Sequence, residues 1–200
     1  YNNMPEYNLT VDDTTGCPAY CCVEMSELAV GPSPMEIQYH LHALGQRTFN
    51  NLVDLTNYVM LEIGQPMHAF DGAKLGSVRV APFGEKGTFT TLDGADRKML
   101  PEDLMIWNTS EPVALAGIMG GMNSEVTDNT VTLLLESANF RESRIRRTAT
   151  RLGLHTDASQ RFEKQQPPAN TREGVRRYLH LLRQSGIRPS IRTRLSSKGD

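Results

Sequence analysis

Apolar positions recur along this 200-residue chain at two different periods, and the change of period marks its elements. Ile37, Leu41 and Leu44 fall on one face of a 3.6-residue turn, as do Leu52, Leu55, Val59 and Ile63, so helices are predicted over 33–45 and 51–63. Ser33 offers an N-cap for the first, Pro34 suits its first turn, and Glu36 three residues on completes a capping box. Gly45 stops that helix; Gly64, with Pro66 beyond it, stops the second. Short apolar or β-branched runs at 19–25, 27–30, 77–82, 88–92, 97–100, 104–107, 113–118 and 131–135 read instead as strands, separated by turns such as Asp93-Gly94. From Glu142 the helical period returns through Ile145, Ala149 and Leu152 to Gly153. A last helix is predicted from Asn170 as cap, with Glu173 three residues later, a stripe of Val175, Tyr178, Leu179 and Leu182, and Gly186 as its stop.

Helices, a block of strands, then helices again predict an α+β fold: mostly antiparallel or mixed sheets of short strands, layered with helices near both ends of the chain. No internal repeat, low-complexity tract or linker interrupts it, so residues 1–200 read as one domain. The chain starts at Tyr1 and stops at the polar run SSKGD, which gives it the look of an excised fragment.

Composition adds a compartment and a partner class. With 38% hydrophobic and 22% charged residues the chain reads as globular and water-soluble. It holds no apolar run of membrane-spanning length, and its first residues lack the pattern of a signal peptide. The net charge of −2 hides a strong asymmetry. Residues 1–140 carry six Lys/Arg against eighteen Asp/Glu, whereas residues 141–200 carry fifteen against five. Such a division fits either a basic face for a polyanion or a solvated helical surface. Cys17, Cys21 and Cys22 are odd in number and closely spaced, so strand packing in a reducing compartment is expected rather than a disulfide framework. A zinc site would need two further ligands, and His40 and His42, two residues apart on a helix, point to different faces. No metal is expected.

The common catalytic signatures (GxSxG, HExxH, CxxC, GxxxxGK[ST]) are missing. Three features remain. Gly117-Ile118-Met119-Gly120-Gly121 is either a tight turn leaving a strand or a place where backbone N–H groups approach a ligand oxygen closely enough to stabilise an oxyanion. His68, in QPMHAFD, is a packing residue or a catalyst, and Glu136, closing the apolar run 131–135, needs a structural partner or a ligand because a buried carboxylate is costly alone. Thr156 suits the N-cap of a short helix through Phe162.

Six segments carry these residues in one order over about 17–164: Arg47 with FNNLVDLTNY, GQPMHAFD, TLDG, ALAGIMGG with SEV, LLLESANF, and IRRTATRLGLHTDASQRFEK. Together they resemble the bacterial-type phenylalanyl-tRNA synthetase β-subunit, in its editing domain. The resemblance implies hydrolysis of tyrosine wrongly esterified to tRNA(Phe). It implies His68 and Glu136 as catalytic residues, Arg47, Ala116, Gly120, Thr156 and Ala158 as the rest of the pocket, and Arg144, Arg146, Arg147 and Arg151 near tRNA phosphates. It implies as partners a tRNA(Phe) carrying the wrong amino acid, the synthetase α-subunit and the rest of the β-subunit, in the cytoplasm. It implies no cofactor here, with ATP and Mg expected only of the intact synthetase. The alternative within the same family is a non-catalytic tRNA-binding or subunit-interaction module. After RFEK this chain reads Gln165-Gln166-Pro167-Pro168, where the family pattern has glycine, a hydrophobic residue, aspartate and proline, and the tail to 200 departs as well.

Overall fold

Residues Ala19–Ser26 send Tyr20 and Cys22 to one side and Cys21, Val23 and Met25 to the other, and both sides are buried. A central strand with two covered faces organises the molecule. The computed structural model describes residues 3–199, so Tyr1, Asn2 and Asp200 of the predicted 1–200 unit lie outside it. The chain runs through β1 (Leu9–Val11), β2 (Ala19–Ser26), α1 (Met35–Ala43), α2 (Asn51–Ile63) and β3 (Met67–Asp71). The strand-rich middle comprises β4 (Val78–Pro82), β5 (Gly87–Thr90), β6 (Asp96–Met99), β7 (Leu104–Trp107), β8 (Pro112–Leu115), β9 (Met119–Gly120) and β10 (Thr132–Asn139). Helices α3 (Glu142–Leu152), α4 (Asp157–Phe162) and α5 (Asn170–Gln184) follow, then β11 (Ser190–Ile191) and β12 (Ser196–Gly199).

The fold is α+β, with one mixed sheet and two antiparallel ones. One sheet has the order β1-β4-β7-β8-β9, antiparallel except for the parallel pair β1–β4. A second has the order β11-β2-β10-β3, with β12 also on β2, and every pair is antiparallel. Strands β5 and β6 form a separate hairpin. The second sheet divides two hydrophobic cores. On one side Tyr20, Cys22, Phe70, Leu134 and Ala138 pack with the first sheet and with Ile145, Ala149 and Phe162 of α3 and α4. On the other, Cys21, Val23, Leu133 and Leu135 pack with Leu41, Leu52, Leu55, Val59 and Tyr178 of α1, α2 and α5. Each Val, Leu, Ile, Phe or Met side chain fully buried in these layers contributes roughly 1.5–3 kcal/mol relative to exposure.

Helix α2 ends at Gly64, whose φ of 79° is the left-handed conformation that favours glycine at a helix C-cap. Elsewhere the tertiary context overrides local signals. The predicted capping box at Ser33 does not form: α1 begins at Met35, and the Ser33 hydroxyl donates to buried Asp54 at 2.6 Å. Asn170 is the first helical residue of α5 rather than its cap. The predicted strand over 27–30 is absent because Glu27, at φ 60°, turns the chain out of β2. The run over 113–118 ends its strand at Leu115, in β8, and turns through Gly117, at φ 68°, before β9 begins at Met119. Strand β10 continues four residues past the predicted end, since pairing with β2 and β3 on both sides holds its backbone irrespective of the polar side chains it carries. Glu136 therefore stands inside a strand, not at its end. Strands β1, β3, β11 and β12 had no period-two signal long enough to read. Among the described residues no helix is long and apolar enough to cross a membrane.

Candidate functional site

Side-chain parity decides which residues meet. Strand β3 pairs with β10 so that His68 lies opposite Glu136, Phe70 opposite Leu134 and Ala69 opposite Leu135. Phe70 and Leu134 belong to the core shared by the two sheets, so His68 and Glu136, in step with them, point to that side too. A cleft opens there, with about 370 Å³ of free space that includes open solvent. His68, Glu136, Ala116, Gly120 and Ala158 all line it. Residues from β3, β10, the turn after β8, β9 and α4 thus converge on one cavity, although 90 positions separate His68 from Ala158.

Gly120 allows the close fit. A Cβ added there would lie 2.7 Å from His68 Cε1, 2.9 Å from Nε2 and 2.9 Å from Leu92 Cδ1. The imidazole therefore stands directly against the backbone of the glycine turn. Its other neighbour is Phe70, with ring centroids 4.3 Å apart in an edge contact. Neither imidazole nitrogen has a hydrogen-bond partner among the described residues. Burial pushes the His68 pKa down to about 4, so the ring is neutral at physiological pH.

Glu136 is buried, and burial pushes its carboxyl up to about 7, against the pull of a hydrogen bond from Tyr20. The Tyr20 hydroxyl donates to Oε2 at 2.5 Å. Oε1 has no partner among the described residues. Tyr20 was not legible as a site residue, because its place beside Glu136 depends on the β2–β10 register. A buried carboxylate nonetheless calls for a donor, and a tyrosine on a neighbouring strand is one of the few side chains able to supply it.

Thr156 does not line the cleft but braces it. Its hydroxyl accepts from Ser159 N at 3.1 Å as the N-cap of α4 and donates to the carbonyl of Ile118 at 2.9 Å, tying α4 to the glycine turn. Arg47 is exposed, its guanidinium 5.9 Å above the Phe49 ring, and is not among the lining residues. The neighbouring Gln46 donates to Asp157 at 2.9 Å, which brings that loop to the start of α4. The four arginines of α3 differ from one another. Arg144 pairs with Asp13 at 3.0 Å and Arg151 with buried Asp103, while Arg146 donates to the carbonyl of Glu163 at 2.8 Å. Arg147 is exposed, and its side chain makes no hydrogen bond or ion pair among the described residues. Cys17, Cys21 and Cys22 are buried free thiols, and no cluster of His, Cys, Asp or Glu suited to a metal occurs among the described residues.

The chain is 44% identical over 193 residues to the phenylalanine–tRNA ligase β-subunit of Porphyromonas gingivalis, covering 90% of this chain and 24% of that protein. It is 51% identical over 158 residues to the same subunit of Geobacter sulfurreducens, covering 77% of this chain and 20% of that protein. The chain thus spans about a quarter of the length of the curated relatives it matches. Among solved structures it resembles an N-terminal fragment of the phenylalanyl-tRNA synthetase β-subunit from Pyrococcus horikoshii, with a TM-score of 0.56 at 12% identity over 99% of this chain and 56% of that one; this likeness shows the fold. The B3/4 domain model matches residues 16–186, a span that contains every residue of the cleft, and the chain belongs to the B3/4 domain family.

Proposed function

We propose that this cleft hydrolyses the ester between a wrong amino acid, tyrosine, and tRNA(Phe), as the editing unit of a phenylalanine–tRNA ligase β-subunit. The observation that carries the reading is the convergence of a neutral imidazole, a buried carboxylate with a free oxygen and a glycine turn in one cavity.

An aminoacyl ester is already activated, so a placed water and donors for the developing oxyanion suffice without a side-chain nucleophile. Water attacks the carbonyl carbon, and the carbonyl oxygen takes up negative charge beside the glycine turn. The ester C–O bond then breaks, the ribose oxygen leaves with a proton, and free tyrosine and uncharged tRNA result. His68 positions the attacking water or the terminal adenosine. Glu136 accepts the phenol of the tyrosyl group on Oε1. A phenylalanyl group leaves that oxygen desolvated and unpaired, at a cost of about 1–3 kcal/mol. A second site of this kind is needed because an apolar synthetic pocket rejects an added hydroxyl by only about 10²-fold.

The small Ala116 leaves room for the ring, Gly120 lets His68 stand against the turn, Ala158 forms the facing wall and Thr156 supports it. Arg47 and Arg147 reach toward tRNA phosphates. The partners on this reading are the mischarged tRNA, the α-subunit and the remainder of the β-subunit, in the cytoplasm, and the reaction needs no cofactor on this unit.

The test is deacylation of Tyr-tRNA(Phe) and Phe-tRNA(Phe) by the chain. The tyrosyl ester should disappear faster than it does spontaneously and faster than the phenylalanyl ester. Loss of neither ester, with tRNA retained on a filter, would replace the proposal with a non-catalytic RNA-positioning module.

A further inference from the structure

Glu136 has two carboxylate oxygens, and the fold itself occupies one of them. Tyr20 is fully buried and its phenol donates to Oε2 at 2.5 Å. In the β2–β10 register Tyr20 lies opposite Ala138, two residues beyond Glu136, so the phenol reaches diagonally along a shared sheet face. We infer that Tyr20 is a positioning residue of the cleft, fixing Glu136 so that its free oxygen accepts one further hydroxyl donor. On the editing reading, on which this inference rests, that donor is the phenol of the tyrosyl group, and one carboxylate holds two phenols, one on each oxygen.

A phenol carries a single proton, and Tyr20 directs it at Oε2. That bond favours the ionised carboxylate, in which both oxygens are acceptors and a hydrogen bond is charge-assisted. The ionisable groups facing Glu136 are Tyr20 and Cys22 on β2, Cys17 just before it and His68 on β3. Burial raises the phenol and both thiols, and it lowers the imidazole to about 4. Glu136, at about 7, is therefore the group among them that changes charge near neutrality. Its ionisation decides whether the free oxygen discriminates, and the Tyr20 hydrogen bond pulls that ionisation toward lower pH.

The experiment uses the full chain and the Tyr20→Phe variant, which keeps the ring and removes the hydroxyl. The readout is the ratio of Tyr-tRNA(Phe) to Phe-tRNA(Phe) deacylation between about pH 6 and pH 9, corrected for spontaneous hydrolysis. Tyr20→Phe should lower the ratio about tenfold or more near pH 7, move its pH midpoint upward and recover toward the parent value at the alkaline end. Substituting 3-fluorotyrosine at position 20, a stronger donor of nearly the same shape, should move the midpoint downward. Tyr178→Phe removes another buried phenol bond, to the Leu52 carbonyl at 3.0 Å in the other core, and should lower thermal stability without moving ratio or midpoint. Carbon-13 titration of the Glu136 carboxyl needs no substrate. An unshifted titration in Tyr20→Phe, or a change shared with Tyr178→Phe, would overturn the positioning role. A shifted titration in a chain with no preference for the tyrosyl ester would instead overturn the editing reading of the cleft.

Discussion

His68 on β3 and Glu136 on β10 are direct cross-strand partners, side by side on the sheet face that meets the glycine turn. Burial acts on both by disfavouring charge, and so moves them in opposite directions: the imidazole down to about 4, the carboxyl up to about 7. Around neutrality the pair is an uncharged acceptor next to a carboxyl at the edge of ionisation.

The two shifts make opposite contributions to stability. Glu136 has a raised folded pKa, so its contribution is fully present below its ordinary value of 4.5 and is lost as pH rises through about 7. His68 has a lowered one, so its contribution is present above 6.5 and is lost as pH falls through about 4. In the parent chain the two slopes largely cancel where their windows overlap. Relative to the parent, Glu136→Gln should gain a stability curve that rises with pH across that overlap, and His68→Gln one that falls, each by roughly 1.4 kcal/mol per pH unit at most. Urea unfolding at several pH values measures both. Parallel curves for all three proteins would contradict the opposed shifts.

Glu136→Ala removes the acceptor of the Tyr20 phenol and, on the editing proposal, of the substrate phenol. Attack on Phe-tRNA(Phe) should rise relative to Tyr-tRNA(Phe), and the orphaned Tyr20 hydroxyl should cost about 1–3 kcal/mol of stability. Deacylation rates on the two esters and a thermal melt check the two effects separately. Unchanged selectivity would remove the phenol-reading role from Glu136.

Gly120→Ala places a methyl group where His68 and Leu92 now stand. The imidazole must turn away from the turn or the β8–β9 hairpin must move, at a cost of about 1–3 kcal/mol. Because a displacement of about 1 Å in a reacting group can cost 10²-fold, deacylation should fall far more than the melting temperature suggests. Deacylation at the parent rate would show that the close contact between His68 and Gly120 is packing only.

The arginines of α3 divide by partner. Arg151→Ala leaves buried Asp103 with only the Leu100 amide and the Thr148 hydroxyl as donors, so stability should drop by about 1–3 kcal/mol. Arg147→Ala breaks no side-chain hydrogen bond or ion pair among the described residues and should change stability by less than about 0.5 kcal/mol. Its expected effect is on tRNA affinity at low salt, with the salt dependence shallower by about one charge or less. Melting curves and filter binding at graded salt separate the two variants.

Local patterning sufficed for several elements that carried their own signal. Helix α2 shows its stripe from Leu52 to Val59 and its stop at Gly64 in the sequence itself, and α3 likewise reads from Glu142 to Gly153. Strand β7 reads from its apolar run Leu104–Trp107. The order of these elements defined the α+β class, because a helical period and a strand period cannot be satisfied by the same backbone. The segments around His68, the glycine turn, Glu136 and Thr156 stood out as candidates for the same reason, by residue type and spacing.

What tertiary structure alone decided is which of those candidates share a cavity and in what ionisation state. Register set His68 opposite Glu136, and parity turned both toward the sheet-to-sheet core rather than toward the helices. A shift of one residue would have sent each to the other face. The same register supplied Tyr20 to Glu136 Oε2, and the fold left Arg47 outside the cleft and took Arg144 and Arg151 into ion pairs. The physical reason is range. Helix stripes, caps and strand alternation are written within a few residues, whereas a carboxyl's water, partners and charge depend on chains brought together from more than a hundred positions away, as Tyr20 and Glu136 are.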